Sequence, residues 1–232
     1  MKIHRFIGPF DLKKTSLTII DQEIIGQISR VLRLAEGKQI LLSDGNCNEA
    51  LGEIANINKQ NIEVKIRERF QNTSESSVNV ILYCSILKRE NFELVVQKAT
   101  EVGVTKIIPL VTSRTVKFNL KKERLEKIIK EAAEQSGRGV VPELGKSQTF
   151  EEAIKNASQN ALNIFFDSSG VKHHAENYML QSIGVWIGPE GGWSEKELEE
   201  AKNHNFPIAS LGKLTLRAET AAIIAPYLII HG

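Results

Sequence analysis

The stretch VWIGPEGGWSEKE, residues 185–197, passes from an apolar run through three glycines and a proline into the start of a helix. Ser194 and Glu197 have the S-x-x-E spacing of a capping box, which sets that helix start. An apolar strand, a glycine turn and a capped helix in this order belong to an α/β fold, whose ligands sit beyond the carboxyl ends of the strands. The turn has neither G-x-G-x-x-G spacing nor a closing Lys-Ser/Thr pair, and Glu190 at its centre would repel a polyphosphate. A ligand here is therefore neutral or cationic where it meets the loop. A plain tight turn explains Ser194 and Glu197 but not three glycines, because one suffices for a single positive φ. Both readings stand at this point.

Outward from this stretch, the same pattern covers the chain from residue 78 onward. VNVILYCSI (78–86), TKIIPLV (105–111), LNIFFD (162–167), GVWIG (184–188) and PIASLG (207–212) read as strands. Helical spacing fills 91–103, 121–137 and 194–205. Apolar strands separated by helices predict a mostly parallel sheet. Before residue 70 the period changes to two: Ile62, Val64 and Ile66 alternate with Glu63, Lys65 and Arg67, and polar turns occur at 43–46 and 58–61. This predicts a small antiparallel barrel or sandwich over 1–70. QNTSESS (71–77) has no apolar residue and reads as a linker, which leaves 78–232 as the α/β domain.

Composition narrows the chemistry. The chain has 232 residues and a formal net charge of +2, so any nucleic-acid contact depends on local clusters of Lys and Arg. Cys47 and Cys84 form no C-x-x-C pair, which fits a reducing, cytoplasmic setting. The apolar run 221–230 is too short to span a bilayer. No metal site is expected, because His173 and His174 have no carboxylate or Cys at ligand spacing. G-x-S-x-G and H-E-x-x-H are both missing.

Two further stretches carry charge in positions that need a reason. In LGKLTLRAETAA (211–222), Glu219 suits the first turn of the last helix, and Thr220 can help fill it. Arg217 opposes the helix dipole there and needs an anionic partner, either Glu219, Glu190 or a ligand oxygen. In KKERLEKIIKEAAEQSGRG (121–139) the apolar stripe is Leu125, Ile128, Ile129, Ala132 and Ala133, and five basic residues occupy other faces of 121–130. Arg114 and Lys117 lie just upstream. The run reads as a solvated face or as a phosphate-binding patch.

With HRFI (4–7), VLRLAEGKQILLSDG (31–45), QKATEVGV (97–104), EAAEQSGR (131–138), GPEGG (188–192) and LGKLTLRAETAA (211–222) in this order, the chain resembles the bacterial ribosomal RNA small-subunit methyltransferase E family, of the SPOUT class. It departs from the family's usual Ile at Thr215 and usual Phe at Trp193. The resemblance implies an N-terminal PUA-like β-barrel and a C-terminal SPOUT α/β domain closed by a trefoil knot. It implies transfer of a methyl group from S-adenosylmethionine to N3 of a uridine in small-subunit (16S) ribosomal RNA. By the same resemblance, Gly188, Pro189, Glu190, Gly191 and Gly192, together with Leu211, Gly212, Leu214, Leu216, Thr220 and Phe166, hold the cofactor. Its sulfonium and lack of phosphate remove the objection raised by Glu190, which either touches the cofactor or braces the loop. Arg217 and Arg138 are the candidate donors to the uracil oxygens, and Glu219 is the nearest carboxylate. Candidate RNA contacts are Arg5, Arg30 and Arg33 in the barrel and Lys121, Lys122 and Lys127 on the basic helix. A homodimer acting on ribosomal RNA or on the assembled subunit is implied. Two rivals remain: a related enzyme methylating a ribose 2′-hydroxyl or a tRNA base, and a noncatalytic RNA-binding assembly factor.

Overall fold

The structure is a computed structural model that describes residues 3–115, 119–172 and 182–232. Lys117, His173 and His174 lie outside the described residues. The chain divides into two compact units, Met1–Glu75 with Ala133–Val141, and Ser76–Ala132 with Pro142–Gly232.

The first unit holds β1 (His4–Ile7), β2 (Ser16–Ile19), α1 (Gln22–Gly26), β3 (Gln39–Ser43), β4 (Asn48–Ile57) and β5 (Ile62–Gln71), with sheet order β1-β3-β4-β5-β2. Period-two alternation produces β5: Ile62 and Val64 are fully buried, while Glu63 and Lys65 face out. Asn58 sets the β4–β5 turn, its Oδ1 accepting from the N–H groups of Gln60 (2.8 Å) and Asn61 (2.9 Å). Two features depart from an all-antiparallel reading. The β1–β3 pair is parallel. A helical stretch begins where only strands were expected, because Asp21 caps it by accepting from Glu23 and Ile24, and Ile24, Ile25 and Ile28 face the core.

Residues 133–141 join this unit through side-chain and backbone bonds. Glu134 accepts from the Ile7 N–H (2.8 Å), and the Cys47 N–H donates to the Gly139 carbonyl (2.8 Å). The polar run 71–77 is partly tied down here as well. Asn72 donates to Glu49 (2.8 Å) and to the Gly137 carbonyl (3.0 Å), and Glu75 takes the Arg138 guanidinium on both oxygens.

The second unit runs β6 (Asn79–Ser85), α2 (Arg89–Glu101), β7 (Lys106–Val111), α3 (Lys122–Ser136, whose end belongs to the first unit), β8 (Glu143–Leu144), β9 (Gln148–Thr149), α4 (Phe150–Asn156), β10 (Leu162–Lys172), β11 (Ser182–Ile187), α5 (Glu195–Asn203), β12 (Ile208–Ser210) and α6 (Ala218–His231). Sheet order is β12-β10-β11-β6-β7-β8, with β9 also on β7, and every pairing is parallel. Helix α4, set by a Thr149–Glu152 capping box, was not legible as a separate element. Trp186 stacks on Tyr83 at 4.2 Å, and Phe165 lies 4.2 Å from Trp193, giving one sheet face an aromatic core. From β6 the chain steps to β7 on one side, whereas β10 to β12 fill the other. The order therefore reverses between β6 and β11, the place where open α/β sheets bind ligands.

Candidate active site

A cleft of about 690 Å³ opens at this reversal. One wall is the 188–192 loop with Trp193, and the other is most of 210–219. Phe166, Asp167 and Ser168 of β10, with Lys88 and Asn91 at the start of α2, complete it. The size falls within the usual range of small-molecule sites, about 300–1,000 Å³.

The glycine loop owes its form to bonds on every side. The Gly192 N–H closes a turn onto the Pro189 carbonyl (2.8 Å), with Gly192 at φ 69°, which favours glycine. Trp193, 4% exposed, donates Nε1–H to the Phe166 carbonyl (3.0 Å). A Cβ at Gly188 would lie 3.0–3.1 Å from that indole. The Glu190 carboxylate accepts from the Lys88 N–H (3.2 Å), so it satisfies an amide at the α2 N-terminus, where Lys88 supplies no side-chain cap. Glu190 thus braces the loop against the segment that follows β6. Burial, and after it the Glu190 charge, raises the pKa of Cys84, which keeps that thiol protonated and unreactive.

The opposite wall is less bonded. Gly212 has φ 126°, open only to glycine, and the N–H groups of Gly212, Leu214 and Leu216 have no acceptor among the described residues. Arg217 is the N-cap of α6 without a side-chain cap bond, its side chain is 86% exposed, and its Nη1 lies 3.9 Å from Glu219, which is 9% exposed.

Of the residues expected around a cofactor, all but Thr220 line this cleft, together with Arg217 and Glu219. Arg138 does not. It is 5% exposed in the first unit, and Glu75 engages its Nε and Nη2 at 2.8–3.0 Å. A neighbouring carboxylate thus engages this guanidinium. The expected RNA contacts are also partly engaged. Arg5 pairs with Glu49 (2.5 Å), Lys122 with Glu126 (3.3 Å) and Lys127 with Glu131 (3.9 Å), whereas Lys121, Arg30 and Arg33 are exposed. Lys88, Asn91, Asp167 and Ser168 were missed. The signal that could have found Lys88 and Asn91 is position, since both follow the carboxyl end of a buried strand.

Comparison with known proteins gives the class first. The family profile described as an RNA methyltransferase domain matches residues 74–230, and that described as an RNA methyltransferase PUA domain matches 28–67. A parallel-sheet domain with a ligand cleft and a small β domain are thus the parts of an RNA methyltransferase. The ribosomal RNA small subunit methyltransferase E of Rickettsia conorii is 31% identical over 97% of this chain and 94% of its own length. That of Neisseria gonorrhoeae, solved bound to S-adenosyl methionine, superposes with a TM-score of 0.88 at 29% identity, covering 97% of this chain and 95% of that one. A Legionella pneumophila methyltransferase in complex with the same cofactor gives 0.87 at 30% identity, over 97% and 96%. The chain belongs to the ribosomal RNA small subunit methyltransferase E family.

Proposed function

We infer that this protein transfers the methyl group of S-adenosylmethionine to N3 of a uridine in small-subunit ribosomal RNA. The observation that carries this is the cleft, whose two walls are the GPEGG loop and the 211–217 segment, in a chain whose relatives are solved with that cofactor in place. The residues fit the group. Adenine and ribose need peptide donors and acceptors at close approach, and the N–H groups of Gly212, Leu214 and Leu216 are unbonded among the described residues. No P-loop lysine is present for a polyphosphate, and Glu190 and Glu219 suit a cation. When bound, the cofactor supplies an electrophilic methyl on a sulfonium. The chain's own part is to align the uracil and to stabilise its oxygens as N3 loses its proton. Arg217, an exposed donor on the cleft wall beside Glu219, is the residue to which we assign that role. The same reading includes the knotted passage of the last segments, a cytoplasmic location and a homodimer. The sequence of α6, apolar around its circumference with Tyr227 51% exposed, supports a partner face.

The test is thermal. S-adenosylmethionine or S-adenosylhomocysteine at about a hundred times Kd adds about 2.7 kcal/mol of stability, a rise in Tm of several degrees for a chain of this size. ATP and NAD should leave Tm unchanged. A shift with ATP and none with S-adenosylhomocysteine would reject the cofactor. Mapping the methylated nucleotide on small-subunit RNA separates N3 of uridine from a ribose or tRNA target.

A further inference from the structure

We propose that Arg114 is a positioning residue for the cofactor loop, holding 188–193 from the side away from the cleft. The proposal rests on the functional reading above. Arg114 Nη1 donates to the Gly191 carbonyl (2.7 Å) and to the Trp193 carbonyl (3.0 Å). A cationic donor makes these stronger than neutral peptide bonds. The rest of the side chain packs on Gly191: a Cβ there would meet Arg114 Cδ at 3.4 Å and its Cβ at 3.6 Å, ordinary van der Waals contact. The guanidinium therefore lies against the loop, and Arg114 itself does not line the cleft.

Its own backbone is fixed. The 112–115 turn after β7 is closed by the Thr112 N–H on Thr115 Oγ1 (2.9 Å) and the Thr115 N–H on the Thr112 carbonyl (3.2 Å). Ser113 donates its N–H (2.9 Å) and its hydroxyl (3.2 Å) to Glu197, a buried carboxylate that also accepts from the Ser194 N–H (2.8 Å). The peptide joining Trp193 to Ser194 is thus held at both ends, its carbonyl by Arg114 and its N–H by Glu197. Both anchors trace to one turn. With Glu190 on the Lys88 N–H, the loop is held at three groups outside the cleft's amides, and the N–H groups of Glu190 and Gly191 have no acceptor among the described residues, so they remain for a ligand. Loosening the clasp lets the carbonyls compete for those directions, which weakens binding without touching the reacting atoms.

Calorimetric titration of S-adenosylhomocysteine tests this on the intact protein. Arg114→Ala should raise Kd about tenfold, or about 1.4 kcal/mol, and Arg114→Lys should raise it less. Thr149→Ala, which removes the α4 capping box, serves as the stability control: Tm falls while Kd stays within twofold. With saturating S-adenosylmethionine, kcat of Arg114→Ala should stay within twofold, with the loss confined to KM for the cofactor. An unchanged Kd in Arg114→Ala overturns the proposal alone, as does an equal Kd rise in Thr149→Ala. A fall in saturated kcat at unchanged Kd would make Arg114 a substrate contact and overturn it too. Failure of the wild type to bind S-adenosylhomocysteine overturns the functional reading, and this proposal with it.

Discussion

Arg217 shows how a single side chain can be read against its local cost. A cation at a helix N-terminus opposes the dipole by about 0.3–1 kcal/mol, and a pair at 3.9 Å whose arginine is largely exposed returns little of that. Structure alone gives little reason for an arginine here. We expect Arg217→Ala to leave Tm almost unchanged and to lower the single-turnover methylation rate about 10²–10³-fold, the usual loss of one preorganised donor. RNA affinity should hold within about twofold. A normal saturated rate would reduce Arg217 to a counterion of Glu219. Glu190 is the opposite case, because its position allowed a ligand contact or a loop brace, and its carboxylate is engaged by the Lys88 N–H. The glycine spacing made the loop visible in the sequence. The partner of its one acid could not be seen, being 102 residues away.

Among the elements, the end of α3 carries a prediction about acid stability. Burial alone would raise the Glu75 pKa, but the Arg138 hydrogen bonds and charge, with the N–H groups of Val140 and Gly139, hold it below the ordinary carboxylate range. The unfolded chain therefore binds the proton more readily. The contribution of Glu75 is complete above its unfolded pKa, about 4.3, and is lost as pH falls through the lower folded value. Urea midpoints measured at pH 7, 4.5 and 3 should fall more steeply for the wild type than for Glu75→Gln. Equal slopes would show that the pair carries no pH-linked stability. At pH 7, Arg138→Ala leaves a largely buried carboxylate uncompensated and should cost about 3 kcal/mol. Amphipathic periodicity predicted α3 over nearly its whole length. It could not predict that 133–141 bond to β1, Cys47 and the 72–75 run, because that pairing follows from topology rather than spacing.

Across the whole molecule the question is how RNA is held by a chain with so little net charge. Intrahelical carboxylates offset part of the basic face of α3, and Arg124 is committed to Glu93 on α2 (2.7 Å). Replacing Lys121, Lys122 and Lys127 by Gln together should still weaken RNA binding. The salt slope should drop by about 0.7–0.9 for each phosphate that these lysines no longer neutralise, with the saturated rate kept. Filter binding between 50 and 200 mM salt measures this. Unchanged affinity and slope would assign the phosphates to other cations, with the exposed Arg30 and Arg33 next in line.

By itself the sequence determined the parts that depend on near neighbours: buried strands alternating with helices after residue 78, a two-residue period before 70, the Ser194–Glu197 cap, and the two segments that became the walls of the cleft. Only the tertiary structure decided which distant groups meet. It set Arg138 on Glu75, brought Lys88 and Asn91 into the cleft, and laid Arg114 against a loop 77 residues further on. Periodicity and capping are written over three or four residues by backbone geometry, whereas a hydrogen bond across a parallel sheet depends on strand order.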